Sequence, residues 1–95
     1  MTTAIAMVST ANGGKYIRQL CKHWSHKLDV EQEGQTGVVR FPDAVATMEA
    51  GNDAIRVKLV ADDQETVLRL QDVIERHLDR FAFREAPLLY KWKVG

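Results

Sequence analysis

The chain opens on a short apolar run, Ala4-Ile5-Ala6-Met7-Val8, whose length and composition predict a buried strand. Asn12-Gly13-Gly14 breaks the run, and Asn12 is placed to cap the helix that follows. Over residues 15–27 the apolar positions are Tyr16, Ile17, Leu20, Cys21 and Trp24. Spacings of one, three and four gather them on one face of an amphipathic helix. The period then changes to two. Residues 30–33, 37–41, 45–50 and 54–60 alternate, and turn signals separate them at Gly34-Gln35-Thr36-Gly37, Pro42-Asp43 and Gly51-Asn52-Asp53. This predicts a four-stranded antiparallel meander. In its last strand Ile55, Val57 and Leu59 take one side while Arg56 and Lys58 take the other.

A second helix has the clearest start. Asp62 stands three residues before Glu65, a capping-box spacing, and Asp63 adds negative charge at the positive end of the helix dipole. Its apolar stripe runs Val67, Leu70, Ile74, Leu78 and Phe81, with Val73 beside it. After Pro87, residues 88–94 alternate as a closing strand, with Leu88, Tyr90, Trp92 and Val94 opposite Leu89, Lys91 and Lys93. The order β-α-β-β-β-β-α-β with two one-sided helices predicts an α+β, two-layer sandwich. Both helices cover one face of a mainly antiparallel sheet, as in TATA-binding-protein-like or elaborated ferredoxin-like arrangements. That likeness is one of fold and carries no function.

Composition narrows the classes. Ninety-five residues make one domain over 1–95, with 45% apolar and 27% charged positions of ordinary globular kind. Thirteen basic and thirteen acidic side chains cancel, which argues against a strongly basic nucleic-acid binder. No apolar run approaches the roughly 18–20 residues of a membrane span, and residues 4–8 are too short for a signal-peptide core. A single cysteine, Cys21, excludes an internal disulfide and makes a cytoplasmic setting the expectation. The strand phases add a local feature to this neutral total. Arg40, Arg56, Lys58, Lys91 and Lys93 are expected to project from the uncovered sheet face, with the acids gathered around the second helix and the turns. Those five are the candidate ligand-binding residues, the plain alternative being a solvated face.

Candidate chemistry concentrates in Cys21-Lys22-His23-Trp24-Ser25-His26. On a helix Cys21 and His23 point about 160° apart, so they cannot grip one ion together, and Cys21 belongs with the apolar stripe. His23 and His26 are i,i+3 neighbours able to share a metal only with a further ligand from elsewhere. His77 falls inside the second helix's stripe, so it should be partly buried and hydrogen-bonded, and side-by-side packing of the two helices would let it approach Trp24 or Cys21. His23, His26 and His77 are thus the candidate metal ligands, against a structural role for all three. No phosphate-binding glycine loop, nucleophile elbow or Cys–His pair with a visible oxyanion site is present, so no catalytic residue is assigned and no cofactor is called for.

The stretches Gln19-Leu20-Cys21-Lys22-His23-Trp24-Ser25-His26-Lys27 and Arg76-His77-Leu78-Asp79-Arg80-Phe81-Ala82-Phe83-Arg84-Glu85 resemble the bacterial domain-of-unknown-function family 2218. The likeness covers nearly the whole chain, closing at Trp92. It marks Cys21, His23, Trp24, His26, His77, Arg80, Phe81 and Phe83. It implies a small stand-alone protein or a partner of siderophore-interacting, flavin-dependent ferric reductases, and hence an iron-acquisition setting. The expected function is a non-enzymatic cytoplasmic accessory or binding module. Its partner would be such a reductase or an anionic small ligand on the basic face. Two alternatives remain: a small metal- or haem-dependent enzyme using His23, His26 or His77, and a homodimer joined through the sheet face.

Overall fold

A computed structural model describes residues 1–94 of the chain. The elements are β1 (Thr2–Ser9), α1 (Gly13–Trp24), β2 (Asp29–Glu33), β3 (Thr36–Phe41), β4 (Ala44–Ala50), β5 (Ala54–Ala61), α2 (Gln64–Phe81) and β6 (Tyr90–Val94). They form one six-stranded sheet in the order β2-β3-β4-β5-β1-β6. Every neighbouring pair is antiparallel. The predicted meander is β2 to β5; β1 pairs with the outer side of β5, and β6 with the outer side of β1. Both helices lie on one face, α1 over β2, β3 and β4, and α2 over β5 and β1.

Period-two alternation sends Ala4, Ala6 and Val8 of β1, Val39 of β3, Ala46 and Met48 of β4, and Ile55, Val57 and Leu59 of β5 into the covered face, all fully buried. Ile17 and Leu20 of α1 and Val67, Ile74 and Leu78 of α2 meet them there. Where α1 crosses β3 the approach is close enough to require a glycine. A Cβ on Gly37 would stand 2.6 Å from Cys21 Sγ and 2.9 Å from Ile17 Cγ2. Gly34, at φ +56°, turns the chain between β2 and β3 in the left-handed region that glycine enters without penalty.

Several expectations shift by a few residues, each for a local reason. Helix α1 spans 13–24 rather than 15–27. Its end is set by the carbonyl of Trp24, which accepts from the backbone N–H groups of Lys27 and Leu28 and turns the chain toward β2. Asn12 stands at the N-cap position without capping, because its side-chain amide donates to Glu85 instead. The cap of α2 is Asp63, not Asp62. Asp63 is extended, and its carboxylate accepts the Thr66 N–H at 2.7 Å, which holds its pKa below the ordinary aspartate value. The closing strand starts at Tyr90 rather than Leu88, since the Leu88 N–H donates to the Asp79 carboxylate.

Candidate functional site

The uncovered face is where the candidate ligand-binding residues come together, and strand order decides how. Strand β1 lies between β5 and β6, so Met7 is flanked by Arg56 and Lys91, and Ile5 by Lys58 and Lys93. Four cations from two strands far apart in sequence therefore bracket two apolar side chains, of which Met7 is 52% exposed. A shallow depression of about 640 Å³ lies here, lined by Thr3, Ile5, Met7, Arg56, Lys91, Lys93 and Val94. Among the described residues none of the four cations is held in an ion pair.

Arg40 is on the same face but not in this group. It sits across the sheet on β3, where its guanidinium meets Glu31 at 2.9 Å and Asp29 at 3.5 Å. The hydrogen bond it donates to Glu31 raises its pKa further. The acids depart from expectation as well. Asp29, Glu31 and Glu33 share one phase of β2, and register carries that phase through Arg40, Val38 and Thr36 of β3 to the open face; Glu49 of β4 joins them. Their even spacing along β2 was the signal. What it lacked was the position of β2, at the opposite edge of the sheet from β6. The open face is therefore charged at both ends with opposite signs, rather than uniformly basic.

The histidines divide. His77 is half-buried on α2, with Nδ1 2.7 Å from the Val73 carbonyl. A carbonyl only accepts, so Nδ1 carries the proton and Nε2 is bare in the neutral ring. The His77 ring lies 5.0 Å from Trp24 and 5.6 Å from His23, centroid to centroid. His23, exposed on α1, also meets the edge of Phe81, and Trp24 packs edge-on against Phe41. His26 lies past the end of α1. Among the described residues no three His, Cys, Asp or Glu side chains are grouped as a metal site. Cys21 points the other way, buried beneath Gly37, and burial pushes its thiol pKa up. That leaves the thiol protonated, and it is Trp24, not Cys21, that His77 touches.

Three carboxylates that tie the elements together escaped the sequence reading. Trp92 donates its indole N–H to Glu75 at 2.7 Å, and the Tyr90 hydroxyl donates to Asp79 at 3.0 Å. Burial, then the bond to Asp79, raises the Tyr90 pKa well above the tyrosine range. A signal for this existed. Two residues along a strand advance about 6.8 Å and four along a helix about 6 Å, so Tyr90/Trp92 and Glu75/Asp79 run in step. Glu85 accepts from the Thr10 hydroxyl at 2.9 Å, the Asn12 amide at 3.2 Å and the Tyr16 hydroxyl. Those donors, Tyr16 first, lower its pKa, while the same bond raises that of Tyr16. No local pattern joins residues 69 to 75 positions apart. The Glu85 bonds hold the segment after α2 against the start of α1, while those to Asp79 and Glu75 hold β6 against α2.

No curated protein matches the chain. It is similar to a solved structure, the NMR structure of PA4090 from Pseudomonas aeruginosa, at a TM-score of 0.84 and 30% sequence identity, over 98% of this chain and 96% of that one. Both helices and all or part of every strand fall within residues 5–93, which match the family described as "Uncharacterized protein conserved in bacteria (DUF2218)"; the chain belongs to that family.

Proposed function

We propose that the protein is a non-enzymatic accessory module that binds through its open sheet face. The basic end over β5, β1 and β6 would engage an anionic ligand or the carboxylates of a partner surface. One observation carries this reading: Arg56, Lys58, Lys91 and Lys93, without ion-pair partners among the described residues, surround the accessible Ile5 and Met7. Four like charges around an apolar floor repel one another, and an anion relieves that repulsion while the floor contributes contact area. The cytoplasmic setting, and iron or siderophore handling beside a ferric reductase, are proposed on the family resemblance alone. A titration followed by NMR with a gallium-loaded catecholate siderophore, the diamagnetic counterpart of the ferric form, tests both levels. Shifts centred on β1 and β6 that are lost in Lys91→Glu and Arg56→Glu, and that weaken as salt shortens the Debye length from about 10 Å to about 3 Å, support the reading. Shifts confined to the helices and indifferent to both charge reversals reject it.

A second reading is favoured by one contact, the 5.6 Å approach of the His23 and His77 rings. It takes His23 and His77, with His26, as the seat of metal or haem chemistry. Metal analysis and an absorption spectrum of the purified protein decide it: a stoichiometric metal or a Soret band, lost in His77→Ala, favours this reading over the first.

A further inference from the structure

The open face can be read row by row, because directly paired residues on neighbouring strands point the same way. One row crosses the sheet as Glu33, Thr36, Glu49, Arg56, Met7, Lys91. The next is Glu31, Val38, Thr47, Lys58, Ile5, Lys93. A third begins Asp29, Arg40, Val45, Val60, Thr3. The first two rows run from acid at the β2 edge to cation at the β6 edge, and the apolar positions lie between. We infer that the partner of this face is a second copy of the chain, packed face to face about a two-fold axis that lies in the interface, parallel to the strands and between β4 and β5. This rests on the reading of the open face as the binding surface and names the partner.

The argument is one of complementarity. That axis turns each row end for end over itself. Glu33 then faces Lys91 of the second copy, Glu31 faces Lys93, and Glu49 faces Arg56. The same rotation sets Val38 over Ile5, Val45 over Val60, Met7 over Thr36 and Lys58 over Thr47, so most of the apolar side chains of the face meet apolar side chains while Lys58 meets a hydroxyl. Each contact occurs twice, as an isologous interface requires. An in-plane axis perpendicular to the strands would instead lay β2 on β2, acid against acid, and β6 on β6. The charge pattern therefore selects one of the two ways of packing this face on its copy. Exposed ion pairs add little affinity each, so their part here is register and choice of partner, while Ile5, Met7, Val38, Val45 and Val60 supply the apolar area. The two long extents of the molecule, 32 and 28 Å, bound a face of the same order as the roughly 800 Å² that each partner buries in a standard interface. Sheets packed this way align to within about 30° at a spacing of about 10 Å.

Sedimentation of the whole chain over a range of concentrations tests this, with circular dichroism confirming that each variant folds. The wild-type chain should form a dimer. Glu31→Lys with Glu33→Lys puts cations at both edges of the face, and Lys91→Glu with Lys93→Glu puts acids at both edges. Each variant alone should dissociate at least tenfold more readily than wild type. An equimolar mixture of the two should associate as a heterodimer, and all four changes in one chain should restore self-association. A monomer up to about 1 mM, or a dimer that neither charge reversal weakens, overturns the inference. If the chain is monomeric yet still binds the gallium siderophore through Lys91 and Arg56, the binding face stands and the second copy falls. If it dimerises as described and no added anion shifts its spectrum, the small-ligand form of the reading falls and the dimer stands.

Discussion

The two faces of the sheet are built from the same strands, often from adjacent residues, yet they are under different constraints. In β1, Ala4, Ala6 and Val8 are fully buried while Ile5 and Met7 between them reach the open side. In β5, Ile55, Val57 and Leu59 are buried while Arg56 and Lys58 are exposed. The covered face is constrained by volume: at Gly37 there is no room for one carbon atom. The open face is constrained by nothing that folding demands, since an antiparallel sheet tolerates water on one side. It nevertheless carries an ordered distribution of charge from edge to edge. That contrast directs functional attention to the open face and leaves the buried Cys21 and Trp24, prominent in the sequence, to the packing of the helices.

The sharpest way to break the contrast is to cut both faces of one strand. Leu59→Ala leaves a cavity beneath α2 and should destabilise the protein by about 2–5 kcal/mol, read from urea or thermal unfolding. Cys21→Ser comes next, at about 1–3 kcal/mol, since it leaves a hydroxyl poorly paired in an apolar site. In the unaltered chain a thiol reagent should label Cys21 slowly when folded and fast in denaturant; fast native labelling would show that α1 does not seal that site.

Glu85→Gln should cost about 1 kcal/mol near neutral pH, because the amide keeps one acceptor but loses the charge that Tyr16, Thr10 and Asn12 bond to. The sign of its pH dependence follows from the lowered pKa of Glu85. The stabilisation is complete above the ordinary carboxylate value of about 4.3 and is lost as pH falls through the lower value of the folded state. The gap between wild type and variant should therefore close in acid; a gap that persists at low pH would mean the carboxylate is not what joins the segment to α1. The smallest effect belongs to Lys58→Ala, one residue from Leu59. It should change stability by no more than about 0.5 kcal/mol, and a larger loss would mean the open face is also under folding constraint.

The motifs around His23 and His77 drew notice in sequence because histidine and cysteine are rare and reactive. In the structure the rings of His23, Trp24, His77, Phe41 and Phe81 pack against one another in pairs. Phe41 belongs to a strand whose pattern placed it near no helix in particular. Only the crossing of α1 over β3 brings it to Trp24.

What the sequence determined by itself were the features whose physical cause is local. Alternation of period two fixed which side chains of β3, β4, β5 and β6 share a face. The 3.6-residue stripe fixed the buried sides of α1 and α2. Tight turns fixed the meander. Each follows from backbone geometry within a few residues, and errors stayed within a residue or three, as at Asp62 and Asp63. What only the tertiary structure decided depends on where strands lie in the sheet. The insertion of β1 between β5 and β6 puts Arg56 and Lys58 on one side of Ile5 and Met7 and Lys91 and Lys93 on the other. The edge position of β2 sends Asp29, Glu31 and Glu33 to the far end and takes Arg40 with them. Phase along a strand is written in neighbouring residues, but the distance between charges on different strands is set by how the whole chain packs.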